Sequence, residues 1–419
     1  MISVSKNGRF FIGLDGQPFF WLGDTQWNLW RCHTASEASA ILDNRKSAGF
    51  TVVQVMLNGW GAGLEADPVF RVPSPTAHGE AYPDRDLRRP NEAYFDHVDR
   101  IAATAERLRL VLVIGLDHPR LLLASPSNAR EWGRWVGERY RRRRNIVWVP
   151  SYTIPEGRNL EITRLIATGL REGAGEKVLM TCHPDPADPY CTSGVAHGEP
   201  WLDFNTIQTW KRFEWIHPSV TADYRRVPPK PVVMAEGAYE GGAEYGFPVT
   251  PRLLREQAYW TCLSGGHHSY GHNDNWQVPA SWRESLGARG AAQMGVYRSV
   301  LERLSWWDLV PDQSILTSDP GPAGRVTLAA RSGKRDLAVV YVPEPSAVSV
   351  RTTGTLSGKG FAASWIDPRT GESLPAGSHD GRFSGSTPAG LEDALLVMRS
   401  ARVAPRDYRQ ESTSFFSLK

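Results

Sequence analysis

Carboxylate, amide, imidazole and aromatic side chains follow the short apolar runs of this sequence. Carboxylates and amides can hydrogen-bond hydroxyl groups, while flat aromatic rings can pack against the C–H faces of sugars. This mixture predicts a site for a small carbohydrate or glycoside. The predicted substrate-binding residues are Asp24, Trp27, Asn58, His183, Asp203, Gln208, Tyr239, His272 and Trp276.

Glu236 is the predicted catalytic carboxylate. It directly follows the apolar run Pro231–Ala235, so we expect burial on the side of the residue that is next to this strand. Cleavage of a glycosidic bond usually needs two carboxyl groups: one protonates the leaving oxygen, and the other attacks the anomeric carbon or activates water. Two alternatives stay open. The position of Glu236 also fits a salt-bridged or capping residue at a strand end, and Glu240, in the Gly-rich loop that follows, is a rival for the catalytic role.

The other candidates also have structural interpretations. Asp24 and Asp203 either orient sugar hydroxyls or cap the helices that follow them. His183 is either a ligand or proton donor, or a packed structural residue. Trp27 and Trp276 either stack on the substrate or belong to the core.

Apolar runs and amphipathic stretches alternate through the first part of the chain. The amphipathic stretches, such as Ser36–Ala48 and Pro251–Leu263, predict helices. Eight alternating strands favour a parallel sheet closed into a (β/α)₈ barrel, whose chemistry lies at the carboxyl ends of its strands. The eight predicted strands are Phe19–Leu22, Thr51–Leu57, Leu110–Leu116, Ile146–Val149, Lys177–Thr181, Leu202–Ile207, Pro231–Ala235 and His267–Tyr270.

The pattern changes after the predicted helix Gly290–Leu304. Beyond Pro311, period-2 strands such as Asp336–Val342 are separated by turn signals such as Asp380-Gly381, which indicates a small β-sandwich. We expect no exposed aromatic cluster in it beyond Trp365, so a role as a structural support for the barrel is favoured over a second sugar-binding surface. We therefore expect a catalytic barrel with an N-terminal hairpin over residues 1–310, a β-sandwich over residues 311–403 and a tail over residues 404–419.

The charge balance argues against several classes of partner. Lys and Arg total 48 against 45 for Asp and Glu, which gives no support for a nucleic-acid or membrane partner. The basic run Arg139–Arg144 is expected to end an amphipathic helix. The sequence shows no signal-peptide pattern and no membrane-spanning run, so a cytoplasmic protein is expected.

No cofactor or metal is expected either. The four cysteines are too scattered for a disulfide framework or a zinc knuckle. The histidines His267, His268 and His272 match no standard zinc spacing, and the chain has neither a Gly-rich phosphate loop nor a nucleophile elbow.

The chain resembles the apiosidase-like glycoside hydrolases, which combine a (β/α)₈ catalytic domain with a C-terminal β-sandwich. The resemblance implies an exo-acting glycosidase on a furanose or a related sugar, with Glu236 as the catalytic glutamate at the end of the seventh strand. The matching segments are Pro18–Trp27, Asn44-Arg45 with Gly49-Phe50, Pro90–Asp99, Trp201–Asn205 with Gln208, Glu236–Glu240, Tyr270-Gly271 with Trp276, and Asp367–Gly371.

One position departs from the family pattern. The fourth strand of such proteins typically runs from a Trp into Gly-Gly-Asp, whereas this chain ends the segment with Ser151-Tyr-Thr153. We therefore expect the general acid to have moved. Asp185 is the favoured candidate because its strand neighbours the fourth. The others are Asp117, Asp24 and Glu156.

The missing carboxylate keeps two other functions open. One is a catalytically inactive barrel that binds carbohydrate. The other is an enzyme of altered sugar chemistry, such as an elimination or an intramolecular transfer, that needs one carboxylate plus a His or Tyr.

Overall fold

A parallel sheet of seven short strands forms the centre of the first part of the molecule. The computed structural model describes residues 2–59, 74–117, 123–152, 157–175, 178–184, 191–357 and 360–400. Within these residues the spatial order of the strands is β7-β6-β5-β4-β10-β9-β8. The strands are β4 Leu22–Thr25, β5 Val52–Met56, β6 Val111–Asp117, β7 Ile146–Ser151, β8 Asn205–Trp210, β9 Val232–Gly237 and β10 His267–Tyr270.

Helices alternate with these strands along the chain. The first begins at a capping box, in which the Thr34 hydroxyl and the Glu37 carboxylate satisfy each other's backbone N–H groups. The helices are α1 Ala35–Ser47, α2 Glu92–Arg107, α3 Ala129–Tyr140, α4 Gly157–Ala174, α5 Ser193–Ala196, α6 Ile216–Tyr224, α7 Pro251–Leu263, α8 Asn273–Gln277, α9 Trp282–Ser285 and α10 Arg289–Arg303. None of the described helices is both long and apolar enough to cross a bilayer.

The extended segment 178–184 occupies the fifth strand position, between β7 and β8. On one side, the backbone N–H of Thr181 donates to the carbonyl of Trp148 in β7 at 3.0 Å. On the other side, the hydroxyl of Thr181 donates to the carbonyl of Phe204, just before β8, at 2.7 Å. The segment therefore links the two edges of the curled sheet, which is the arrangement of a (β/α)₈ barrel.

The two faces of the sheet pack against different partners. Val52 of β5 belongs to an interior cluster with Trp21. Val53, its neighbour on the opposite face, packs with Ile41 of α1 in the layer between sheet and helices. Side chains alternate between the two faces of a sheet, and residues paired in register on neighbouring strands point to the same face. Residues paired with Val53 therefore also face the helices.

An N-terminal sheet covers the amino ends of the barrel strands. It consists of β1 Ser3–Val4, β2 Phe11–Ile12 and β3 Pro18–Phe19, paired antiparallel. The ring of Phe11 lies 5.0 Å from that of Trp21 and 5.1 Å from that of Phe204. These aromatic contacts close the barrel interior at the end opposite the strand tips.

The chain divides into the compact units Met1–Gly295 and Val296–Lys419. The second unit has a six-stranded antiparallel sheet, in the order β11-β12-β13-β18-β15-β16, and a two-stranded sheet, β14-β17. Its strands are β11 Leu309–Pro311, β12 Leu328–Ser332, β13 Leu337–Val342, β14 Ala347–Arg351, β15 Phe361–Ile366, β16 Ser373–His379, β17 Arg382–Ser386 and β18 Ala394–Ser400.

Trp365 does not offer a surface for sugar. Its side chain is 4% exposed and lies 6.0 Å from the ring of Phe383 in the core of the second unit. The prediction that it stands out as a surface aromatic is therefore wrong.

The barrel class and most of its elements agree with the sequence predictions. The helix Pro251–Leu263 and the strand His267–Tyr270 are found with their predicted bounds. The first and sixth strands begin three residues later than predicted, at Leu22 and Asn205. In the described part of the fifth predicted strand, residues 178–181, the strand pairing is a single bridge between Met180 and Trp148.

Candidate active site

Glu236 lies near the carboxyl end of β9 and is 8% exposed. Two N–H groups donate to its Oε1 atom: Nε2 of Gln208 at 3.1 Å and the indole Nε1 of Trp210 at 2.7 Å. Both donors come from the carboxyl end of β8. They fix the orientation of the carboxylate without neutralising its charge.

The other carboxylate oxygen faces an imidazole. Nε2 of His183 lies 3.6 Å from Oε2 of Glu236. The ring of His183 stacks on Tyr152 with centroids 4.3 Å apart, and the ring of Trp27 meets it edge-on at 5.5 Å. Nδ1 of His183 lies 3.0 Å from the carbonyl of Pro184. When Nδ1 carries the proton and donates it there, Nε2 of the neutral ring has no proton and can accept one on the side of Glu236.

Tyrosine hydroxyls near Glu236 are held in their protonated form. Burial, and secondly the charge of Glu236, raise the pKa of Tyr152 and of Tyr239 well above the ordinary value. The same two causes raise the pKa of Tyr245, whose hydroxyl oxygen accepts the backbone N–H of Tyr239 at 3.1 Å. At neutral pH these groups can therefore donate hydrogen bonds but do not act as bases.

Buried amide groups near the carboxyl ends of the strands have unused hydrogen-bonding capacity. Within the described residues, neither amide atom of Asn58 has a partner, although its side chain is 3% exposed. Oε1 of Gln208 and Oδ1 of Asn28 are also buried without a partner. Buried polar groups are normally paired, so such atoms near one end of the barrel indicate a site for a hydroxylated ligand.

The family model described as "Apiosidase-like, catalytic domain" matches residues 5–308. The chain belongs to the apiosidase-like family. Its catalytic domain is therefore of the glycosidase kind. A second model, described as "Putative collagen-binding domain of a collagenase", matches residues 310–398 of this apiosidase-like chain.

Solved structures with the same fold include glycoside hydrolases. One, called "Glycoside hydrolase", is 23% identical with a TM-score of 0.82, and the match covers 96% of this chain and 97% of the other. A glycoside hydrolase family 5 protein from Bacteroides vulgatus is 24% identical with a TM-score of 0.84, and the match covers 98% of each chain. No curated protein matches the sequence.

Asp24 of the apiosidase-like chain lies on the helix-facing side of β4, where it pairs in register with Val53. Its fully buried carboxylate accepts a hydrogen bond from Gln26 at 2.7 Å and lies 3.9 Å from the guanidinium of Arg45 in α1. Burial raises its pKa to about 6, although Arg45 acts in the opposite direction. The expectation that Asp24 orients a sugar in the cleft is therefore wrong, because its partners lie between the sheet and the helices.

Asp203 also lies away from the strand tips. It precedes β8, at the amino end of that strand, and its Oδ2 accepts the backbone N–H of Met180 at 2.9 Å. The structure therefore corrects its predicted sugar-binding role to that of a structural acceptor between the fifth position and β8.

His272 and Glu240 are bound into the loops after β9 and β10. Nδ1 of His272 accepts the backbone N–H of Asp274 at 3.1 Å and so caps α8. Glu240 accepts the hydroxyl of Tyr270 at 2.7 Å and the backbone N–H of Gly290, next to the start of α10, at 3.0 Å. These contacts explain both residues without a ligand and leave Glu236 ahead of Glu240 as the catalytic candidate.

Trp276 packs against the interior cluster that contains Trp27 and Tyr152, which places it beside the site. The two proposed acids are Asp117 and Asp185. Asp117 ends β6 and pairs in register with Ser151, but its side chain lies outside the described structure. Asp185, like Thr153 and Glu156, lies outside the described residues.

Sequence reasoning missed three aromatic residues of this site: Tyr152, Trp210 and Tyr245. Trp210 falls three residues beyond the predicted end of its strand and is assigned to no predicted element. No periodicity signal would have placed it beside Gln208, because the pairing of β8 with β9 is irregular between Gln208 and Trp210.

Proposed function

We propose that this apiosidase-like chain hydrolyses small glycosides or oligosaccharides, acting from the chain end on a furanoside or a related sugar. Glu236 is the catalytic carboxylate. The observation that carries the proposal is its position at the end of β9, with Oε1 held by two N–H donors and Oε2 turned toward His183.

The neighbouring groups supply the binding functions that a sugar requires. The amides of Asn58 and Gln208 have buried atoms free to bind hydroxyl groups. Tyr239 offers a protonated hydroxyl, and Trp27 and Trp276 provide aromatic surface next to the carboxylate. A largely apolar wall with a few directed polar groups is the usual composition of a small-ligand site.

The leaving oxygen needs a proton donor. We assign this role to Asp185, two residues after His183, with Asp117 at the end of β6 as the alternative. Either carboxyl group would need its pKa raised by burial or by the charge of Glu236 in order to carry a proton at neutral pH.

The test compares Glu236→Gln with Glu240→Gln on a panel of aryl furanosides and pyranosides. The first variant removes the nucleophile or base, so kcat should fall by about a thousandfold or more. The second changes a carboxylate bound to Tyr270 and Gly290, so kcat should stay within a few-fold of the wild type. Equal turnover by Glu236→Gln and the wild type contradicts the proposal.

One observation favours a second candidate, an elimination or an intramolecular transfer. These reactions need one carboxylate plus a His or Tyr, and His183 faces Glu236 at 3.6 Å with Tyr152 stacked on it. Product masses separate the candidates, because hydrolysis adds a water across the bond whereas elimination leaves a sugar lighter by one water. Tight sugar binding with no product at all would instead identify a catalytically inactive carbohydrate-binding barrel.

A further inference from the structure

Trp210 combines three properties that packing alone does not explain. Its indole N–H donates to Oε1 of Glu236 at 2.7 Å. Its backbone has a φ of 47°, in the left-handed region that side chains other than glycine rarely adopt. Its side chain is 39% exposed, which is unusual for a large apolar residue at the end of a barrel strand.

Irregular pairing between β8 and β9 accompanies this conformation. Gln208 pairs in register with Glu236, but the next pair joins Trp210 to Gly237, so Thr209 is an extra residue on β8. Such bulges re-aim side chains and are common beside active sites. Here the bulge and the left-handed φ bring the indole N–H to the carboxylate and leave much of the ring accessible.

The strain of this conformation points to a function. A left-handed backbone costs a residue with a Cβ atom about 1–2 kcal/mol. Strained residues of this kind cluster at active sites, where the surrounding structure holds them in place. A glycine would adopt the same φ without this cost. The presence of a tryptophan instead indicates that its side chain has a function at this position.

We propose that Trp210 positions Glu236 for catalysis and that its exposed ring is the platform on which the substrate sugar stacks. This inference rests on the proposed function, because it gives a role to Trp210 in the reaction assigned to Glu236. The ligand class is a sugar with an accessible C–H face. The indole N–H, being neutral, favours the ionised carboxylate without pairing it with a cation.

Two variants separate the two roles. Trp210→Phe keeps a flat ring but removes the N–H group, so kcat should fall about tenfold or more while KM changes little. The acidic limb of the pH–rate profile should also move to higher pH, which loss of packing alone would not cause. Trp210→Ala removes the ring as well, so KM should rise about tenfold above that of Trp210→Phe.

The matched control is Trp307→Phe. Trp307 is 40% exposed, lies in the second unit and makes no described contact with Glu236. This variant should keep the wild-type kcat, KM and pH profile. Trp210→His provides a rescue, because histidine tolerates left-handed φ and retains a ring N–H donor. It should recover part of the kcat lost in Trp210→Phe.

A carboxyl titration by ¹³C NMR tests the positioning role without any substrate. The Glu236 signal is assigned by its absence in Glu236→Gln, and its midpoint should lie at higher pH in Trp210→Phe than in the wild type. An unchanged midpoint and an unchanged kcat overturn the positioning role. A KM in Trp210→Ala equal to that in Trp210→Phe overturns the platform.

These outcomes are distinct from failure of the proposed function. If Glu236→Gln abolishes turnover while Trp210→Phe behaves as the wild type, only the role of Trp210 is wrong. If Glu236→Gln retains full turnover, the proposed function fails whatever Trp210 does.

Discussion

At the scale of single residues, two oxygens of one carboxylate have different surroundings. Oε1 of Glu236 accepts two neutral N–H donors, whereas Oε2 faces an imidazole across 3.6 Å. The side chain therefore cannot rotate freely, and Oε2 is the oxygen that lies on the side of His183. Holding a catalytic group in a fixed orientation reduces the entropy that is lost on reaching the transition state.

The proposed acid Asp185 gives a prediction that depends on the leaving group. With Glu236 intact, Asp185→Asn should abolish turnover of glycosides with poor leaving groups, because these need protonation. It should spare activated aryl glycosides, whose leaving groups depart as anions. The measurement is kcat/KM across a series of leaving groups, with Asp117→Asn run in parallel.

Each outcome of that series assigns the acid. A steep dependence on the leaving group in Asp185→Asn alone supports Asp185, and in Asp117→Asn alone supports the alternative. Equal losses of Asp185→Asn on good and poor leaving groups remove Asp185 from consideration.

At the scale of elements, strand periodicity predicted the barrel but not which face each residue takes. Val52 and Val53 have similar side chains, yet one faces the interior and the other faces α1. Asp24 was assigned to the cleft because it follows an apolar run. A strand of four residues, Leu22–Thr25, is too short for its alternation to be read from the sequence.

The position of Glu236 near the end of its strand was predictable, because the residue directly follows the apolar run Pro231–Ala235. Trp210 was missed because the bulge at Thr209 and the left-handed φ have no signature in propensity or periodicity. The fifth strand was predicted to be more regular than it is. The sequence shows its apolar residues, but it does not show that Thr181 bonds to the segment before β8 through its hydroxyl group.

The strain at Trp210 predicts an order of stability between two variants. Trp210→Gly and Trp210→Ala both lose the indole ring, but only glycine adopts a φ of 47° without cost. Trp210→Gly should therefore be the more stable of the two variants. The relief of backbone strain should outweigh the larger conformational entropy that glycine loses on folding. The expected difference is about 1 kcal/mol in the free energy of unfolding, measured by urea titration. A more stable Trp210→Ala contradicts the strain.

At the scale of the whole molecule, buried histidines should make the fold sensitive to acid. Burial lowers the pKa of His33 and of His267 to about 4, and that of His268 to about 3. Above the ordinary value of 6.5 both folded and unfolded chains hold these rings neutral. As the pH falls below it, only the unfolded chain binds the protons, so the free energy of unfolding falls.

The size of this effect is measurable. At pH 5 each such histidine should lower the free energy of unfolding by about 2 kcal/mol relative to pH 7. Asp24, between its raised pKa of about 6 and its ordinary value of 3.8, and Asp223, whose pKa burial also raises, act in the opposite direction. Burial likewise lowers the pKa of His97, His217 and His272, which adds to the loss. Denaturant titrations at pH 7 and pH 5 should therefore show a clear net loss of stability.

The variant His268→Phe isolates one contribution. Both ring nitrogens of His268 are buried and have no partner among the residues that the structure describes, so an apolar ring should be tolerated at pH 7. Its stability should fall less between pH 7 and pH 5 than that of the wild type. An identical fall in both proteins would show that His268 is not among the groups responsible.

The fifth position of the barrel has a further consequence. Met180 donates its backbone N–H to the side chain of Asp203, and the Thr181 hydroxyl bonds the carbonyl of Phe204, so part of this junction is held by side chains rather than by a backbone ladder. The barrel can therefore open locally at this junction more readily than between its backbone-paired strands. The backbone amide of Met180 should therefore exchange with deuterium sooner than that of Met234 in β9. Because His183 lies on the same segment as Met180, the rate of this local opening would set how long the imidazole stays aligned with Glu236.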